Sequence, residues 1–148
     1  MSTYFDIELQ DETPASVFMK LRELTPTFLL ESIERGVDQS RYSFLGIGAA
    51  QSIQVRDGNF ILNGEKVSKP SSQSEVMNLF RKTLKETPDL KPAIEDIPFS
   101  GGMVGFSSFD MIRHFEKLSV PKGKKGILSP PDCSYLSPTS LLVFDHEA

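Results

Sequence analysis

Phe28-Leu29-Leu30-Glu31-Ser32 is an apolar run that ends in a carboxylate and a hydroxyl. A carboxylate at the edge of a core costs several kcal/mol if fully buried without a partner. A ligand ammonium would pair with Glu31. The Ser32 hydroxyl and adjacent backbone groups could hold a carboxylate, and the leucines could contact an apolar side chain. Those are the parts of an amino-acid site. The residues alone leave a plainer reading open, in which Glu31 pairs with Arg35 or Arg41 and Ser32 caps the following turn.

Other chemistry is thinly represented. His114 and His146 lie far apart without metal-ligand spacing, and both read as surface or loop histidines. Cys133 has no histidine near it in sequence and reads as a buried, inert thiol. There is no phosphate loop, dinucleotide fingerprint or serine nucleophile elbow. Lys122-Gly123-Lys124-Lys125 is too short for an anion groove and reads as a solvated loop. Gly101-Gly102-Met103-Val104-Gly105-Phe106 lacks the lysine and hydroxyl of a nucleotide loop. Its glycines suggest a bulge or a close backbone approach rather than a ligand contact. No catalytic residue is expected in the chain, and no cofactor or metal.

Composition fits this picture. The chain has 148 residues, 39% of them hydrophobic and 24% charged, enough for one domain spanning residues 1–148 with a real core. A net charge of -4 disfavours nucleic acid or an anionic membrane as the main partner. No apolar run approaches the roughly 18–20 residues that span a bilayer. Met1-Ser2-Thr3-Tyr4 does not open a signal peptide, and a single cysteine fits a reducing compartment, so a cytoplasmic protein is expected.

The elements that must position these residues are legible as patterns. Phe5, Ile7 and Leu9 alternate with polar residues, as in a strand over residues 1–10. Thr13 and Pro14 start a helix carrying Val17, Leu21 and Leu24 on one stripe, and Thr25-Pro26 ends it. Phe28–Ser32 follows, then an alternating run over Arg41–Ile47. Asp57-Gly58 and Asn63-Gly64 separate apolar strands, so residues 41–68 read as an antiparallel meander. Ser72 and Glu75 form a capping box before a helix with Val76, Leu79, Phe80 and Leu84, running to about Lys85. Residues 86–98 read as a surface loop, residues 101–106 as a buried strand, and Phe109, Ile112 and Phe115 as a short helix. Residues 119–134 read as loop and Leu141–Phe144 as a last strand. The expected class is α+β, with a mainly antiparallel sheet and helices packed on it. The ending Asp145-His146-Glu147-Ala148, straight after a strand, looks like a cut.

Three blocks together carry a family resemblance. They are LLES at 29–32 with Arg41-Tyr42-Ser43-Phe44-Leu45-Gly46; GGMVGFSSFD at 101–110 with Arg113, Phe115 and Glu116; and Pro131-Asp132 followed by LLVFDH at 141–146. In order and spacing they resemble the amino-terminal region of the anthranilate synthase large subunit, component I. The resemblance implies a lyase that converts chorismate to anthranilate in tryptophan biosynthesis. It implies Mg²⁺ and ammonia from a glutamine amidotransferase subunit, with chorismate and the metal held by a carboxy-terminal region absent from this chain. It also implies a feedback site for L-tryptophan contacted by Leu30, Glu31 and Ser32, with Ser43 alongside from the 41–43 stretch. Two departures are Ala49-Ala50-Gln51 in place of a proline, and Phe109-Asp110 in place of Tyr-Asp. The alternatives are the similar amino-terminal part of aminodeoxychorismate synthase, in the folate pathway, and a stand-alone module that binds a small ligand.

Overall fold

The structure is a computed structural model that describes residues 4–8, 10–31, 41–92, 94–95, 97–117 and 129–147. The chain is an α+β protein of antiparallel sheets with few helices. It divides into two compact units. The first comprises residues 1–50, 88–102 and 138–148, and the second residues 51–87 and 103–137.

In the first unit, helix α1 (Pro14–Lys20) begins where the sequence indicates. Thr13 Oγ1 accepts from the Ser16 amide and Ser16 Oγ accepts from the Thr13 amide, which satisfies two otherwise orphan donors. The helix is shorter than its apolar stripe suggests. After Lys20 the chain tightens into a 3₁₀ turn, Arg22–Leu24, and Thr25 turns left-handed at φ 53°. Val17 is buried and Leu24 is exposed, so only the first part of the stripe meets a core. Strands β1 (Pro26–Leu30), β2 (Tyr42–Ile47) and β8 (Ser140–Asp145) form an antiparallel sheet in the order β1-β2-β8. The expected strand at the start of the chain does not form among residues 4–8. Phe5 and Ile7 stand 75% and 71% exposed, because alternation makes a strand only where a neighbouring strand supplies the hydrogen bonds.

In the second unit, β3 (Gln51–Arg56), β4 (Asn59–Leu62), β5 (Glu65–Val67), β6 (Val104–Ser107) and β7 (Cys133–Ser137) form a sheet in the order β5-β4-β3-β7-β6. The two hairpins turn where Asp-Gly and Asn-Gly occur. Asp57, Gly58, Asn63 and Gly64 all have positive φ, 50°, 73°, 49° and 84°, as two-residue turns matched to strand twist require. The meander is nonetheless shorter than residues 41–68, because β2 belongs to the other sheet. The Ile47 carbonyl accepts from both the amide and the hydroxyl of Thr139, just before β8, and so ties the end of β2 to β8.

Helix α2 (Gln73–Lys85) is capped by Ser72, whose Oγ accepts from the Glu75 amide at 3.2 Å. The Glu75 carboxylate reaches back to the Ser71 amide and hydroxyl rather than to Ser72. Val76 of α2 packs with Val55, Phe60, Met111 and Cys133 in one core cluster. Met111 comes from a 3₁₀ helix, Phe109–His114.

Two further expectations are corrected here. The 101–106 run forms a strand only from Val104, and that strand is largely exposed: it is an edge, paired with β7 alone. Gly105 nevertheless has a structural reason, since a Cβ there would lie 2.0 Å from the Ser134 carbonyl oxygen. Cys133–Ser137, expected as part of a loop or left unassigned, is the strand between β3 and β6. Its serines, and the prolines flanking it at 130, 131 and 138, hide a strand signal that its neighbours on both sides supply.

Candidate functional site

β1 carries Leu29 and Leu30 in register with Leu45 and Phe44 of β2; the pairing ends there, with Glu31 following Leu30 and Ser43 preceding Phe44 at the same end. On the other side Ser43 is paired with Phe144 of β8. Directly opposed residues share a face and successive residues alternate. Leu30 therefore lies on the Phe44 face, whereas Ser43 and Leu45 lie on the other. The Phe44 face is aromatic: Phe99 stacks edge-on against both Phe28 and Phe44, at centroid distances of 6.5 and 5.7 Å.

The four candidate contacts thus fall as follows. Leu30 ends β1 and is 42% exposed. Glu31 follows it and is exposed. Ser43 is buried at 2% exposure, and its Oγ lies 2.8 Å from His146 Nε2. Ser32 lies outside the described residues, as do Arg35 and the Lys122–Lys125 cluster. Leu30, Glu31 and Ser43 come together at one end of the β1–β2 pair, with Leu30 and Ser43 on opposite faces.

Arg41 is not the partner of Glu31. Its Nε and Nη2 donate to the two carboxylate oxygens of Asp145 at 2.8 and 2.6 Å, and its Nε is 3.5 Å from Glu147. Its guanidinium also lies over the Tyr42 ring, 4.9 Å from the centroid. Hydrogen bonding to Arg41 pulls the Asp145 carboxyl down to about 2, and the same contact raises the Arg41 guanidinium above its ordinary value. Among the described residues Glu31 makes no ion pair, so its carboxylate is open to an external cation.

His146 is the residue that spacing could not supply, since it and Ser43 are 103 positions apart. As expected of a surface or loop histidine, it is exposed and lies just past β8, and its ring also contacts the buried Ser43 hydroxyl. His114 is corrected: its side chain is 12% exposed, its Nε2 is 3.0 Å from Asp132 Oδ2, and its ring meets Phe60 edge-on at 5.3 Å. Cys133 is buried, as expected, and desolvation pushes its thiol up to about 11. Among the described residues no three of His, Cys, Asp and Glu gather closely enough to hold a metal ion. No helix among them is long and apolar enough to cross a membrane.

No known family profile matches the chain. It is 39% identical over 136 residues to anthranilate synthase component 1 of Thermus thermophilus, covering 91% of this chain and 28% of that protein. It is 37% identical over 138 residues to anthranilate synthase component 1 of Mycobacterium tuberculosis, covering 91% of this chain and 26% of that one. The crystal structure of anthranilate synthase component I from Streptococcus pneumoniae matches 99% of this chain with 30% of its own, at a TM-score of 0.54 and 22% identity, a likeness of fold. The resemblance carried by the three sequence blocks is thereby borne out: over nine-tenths of its length the chain is similar to anthranilate synthase component I, and it spans little more than a quarter of those relatives.

Proposed function

We propose that the chain is the amino-terminal, regulatory portion of a cytoplasmic anthranilate synthase component I and contributes to a feedback site for L-tryptophan. The observation that carries this is that Arg41 is committed to Asp145, which leaves the Glu31 carboxylate, just past the end of β1, without an ion pair among the described residues and available to a ligand ammonium. Ser32, next in sequence, would supply the hydroxyl for the ligand's carboxylate. The whole protein would be a lyase acting on chorismate, with ammonia from a glutamine amidotransferase subunit. The chorismate and Mg²⁺ sites would lie in residues this chain does not contain. The relatives described above carry the anthranilate synthase name, which favours this reading over aminodeoxychorismate synthase.

Feedback inhibition is a reciprocal coupling: tryptophan weakens chorismate binding by the same factor that chorismate weakens tryptophan binding. On this reading Ser32→Phe in the full-length enzyme removes the hydroxyl that would meet the ligand's carboxylate and adds bulk. A hydrogen bond of that kind contributes about 1.5–3 kcal/mol, so the tryptophan concentration giving half-inhibition is expected to rise about 10- to 100-fold. Equal inhibition of variant and wild type would remove the assignment.

A further inference from the structure

We propose that His146 is a positioning residue of the amino-acid site: its ring sets the direction in which the Ser43 hydroxyl points its proton. The inference rests on the tryptophan-site reading above and adds a residue to it.

Ser43 is 2% exposed, so its neighbours rather than water decide the orientation of its hydroxyl. A hydroxyl offers one donor and two acceptor sites. The His146 Nε2, 2.8 Å away, occupies one of them. If Nε2 carries a proton it donates to Ser43 Oγ, and the serine O–H is released to donate toward a ligand carboxylate or a neighbouring acceptor. If Nε2 is bare, the serine spends its proton on the ring and presents only lone pairs, which suit an ammonium. The ring thus selects which end of an amino acid Ser43 addresses.

His146 is exposed, and it is its backbone that is held in place. The His146 amide donates to the Arg41 carbonyl at 2.8 Å, which ties residue 146 to the start of β2. On either side of it, Asp145 is gripped by the Arg41 fork, and the Glu147 amide donates to Asp145 Oδ1 at 3.0 Å. That anchoring fixes where the ring starts from, and the Ser43 contact fixes where it points. Ser43 in turn precedes Phe44, the partner of Leu30, so a change at His146 is delivered to the end of the β1–β2 pair where Glu31 leaves the strand.

The test is equilibrium binding of L-tryptophan to the full-length protein, by calorimetry, for wild type, His146→Phe, His146→Gln, Ser43→Ala and the double variant Ser43→Ala/His146→Phe. His146→Phe keeps the ring volume and loses the nitrogen; it is expected to weaken tryptophan binding about tenfold. His146→Gln carries an amide nitrogen at a similar reach and is expected to return affinity to within about threefold of wild type. On the Ser43→Ala background His146→Phe is expected to change affinity less than about twofold, because the hydroxyl it acts through is gone. A contact that merely fastens β8 to β2 would lower the urea midpoint of His146→Phe along with its affinity and restore both in His146→Gln, whereas a positioning role weakens binding tenfold at an unchanged urea midpoint; parallel losses of midpoint and affinity overturn the proposal. So does a His146→Phe protein that folds and binds as wild type does. Should His146→Phe fail to fold, a His146→Gln protein weakened tenfold overturns it and one within threefold supports it. A wild type that binds no tryptophan overturns the site reading itself, an outcome distinct from binding that is indifferent to residue 146.

Discussion

Arg41 and Asp145 meet through a two-pronged contact, Nε and Nη2 each donating to a separate carboxylate oxygen. Such a fork is stronger than a single charged hydrogen bond, though both side chains are partly exposed and solvent screens the pair. The Asp145 pKa of about 2 in the folded protein lies below its ordinary value of 3.8. A depressed carboxyl stabilises the fold above its unfolded pKa and loses that contribution as pH falls through the folded one. The window is therefore about pH 4 to pH 2. Wild type is expected to lose more stability across that interval than Asp145→Asn, read as the difference in urea midpoints at pH 5 and pH 2.5. Parallel losses would mean the pair adds nothing. At this scale sequence reading reached Glu31 as a carboxylate seeking a partner and Ser43 as a neighbour. It offered Arg41 as a possible partner without seeing that Asp145, across the sheet, would hold it. Spacing along a chain carries no information on pairs as far apart as Ser43 and His146.

Elements defined by local chemistry were the legible ones. The Asp-Gly and Asn-Gly turns fix β3-β4-β5 within a dozen or so residues, and α2 is announced by Ser72, Glu75 and its apolar stripe. Each is decided by residues a few positions apart. β7 and the absent first strand went the other way. Cys133–Ser137 is a strand because β3 and β6 flank it, and residues 4–8 alternate with nothing beside them to pair with. A strand's existence depends on partners that may lie anywhere in the chain, whereas a helix carries its partners within itself. The α2 cap allows a local test. Ser72→Ala removes the acceptor for the Glu75 amide and is expected to cost about 1 kcal/mol, and Ser72→Gly only a few tenths, by urea denaturation. A Ser72→Ala protein with the wild-type urea midpoint would argue that the cap bond is not what Ser72 contributes.

Across the whole chain, class and family resemblance were readable, while the division into two units built from interleaved segments was not. Composition and turn signals speak of how much sheet there is, and not of which strands share one. Cys133 reports on the second unit directly, because it is fully buried in that core and its thiol is raised to about 11. Only the thiolate reacts, so at pH 8 about one native molecule in a thousand would be competent even if the sulfur were reachable. Labelling by a disulfide reagent is expected to follow opening of that core and to accelerate steeply with urea. Complete labelling of the native protein within seconds would contradict the burial.

The pairing of β2 with β8 has a consequence for the order of events at the ribosome. Ser43 leaves the exit tunnel long before His146 is made, and at about 5–20 residues per second a separation of 103 positions is a wait on the order of 5–20 s. Through that interval β2 has β1 for a neighbour and a bare edge on the side β8 will take. Every segment of the second unit emerges before β8 does. Of the strand pairings described, β2–β8 is thus the last to become possible as this stretch of chain emerges, and a nascent chain stalled before residue 140 would leave that edge of β2 bare.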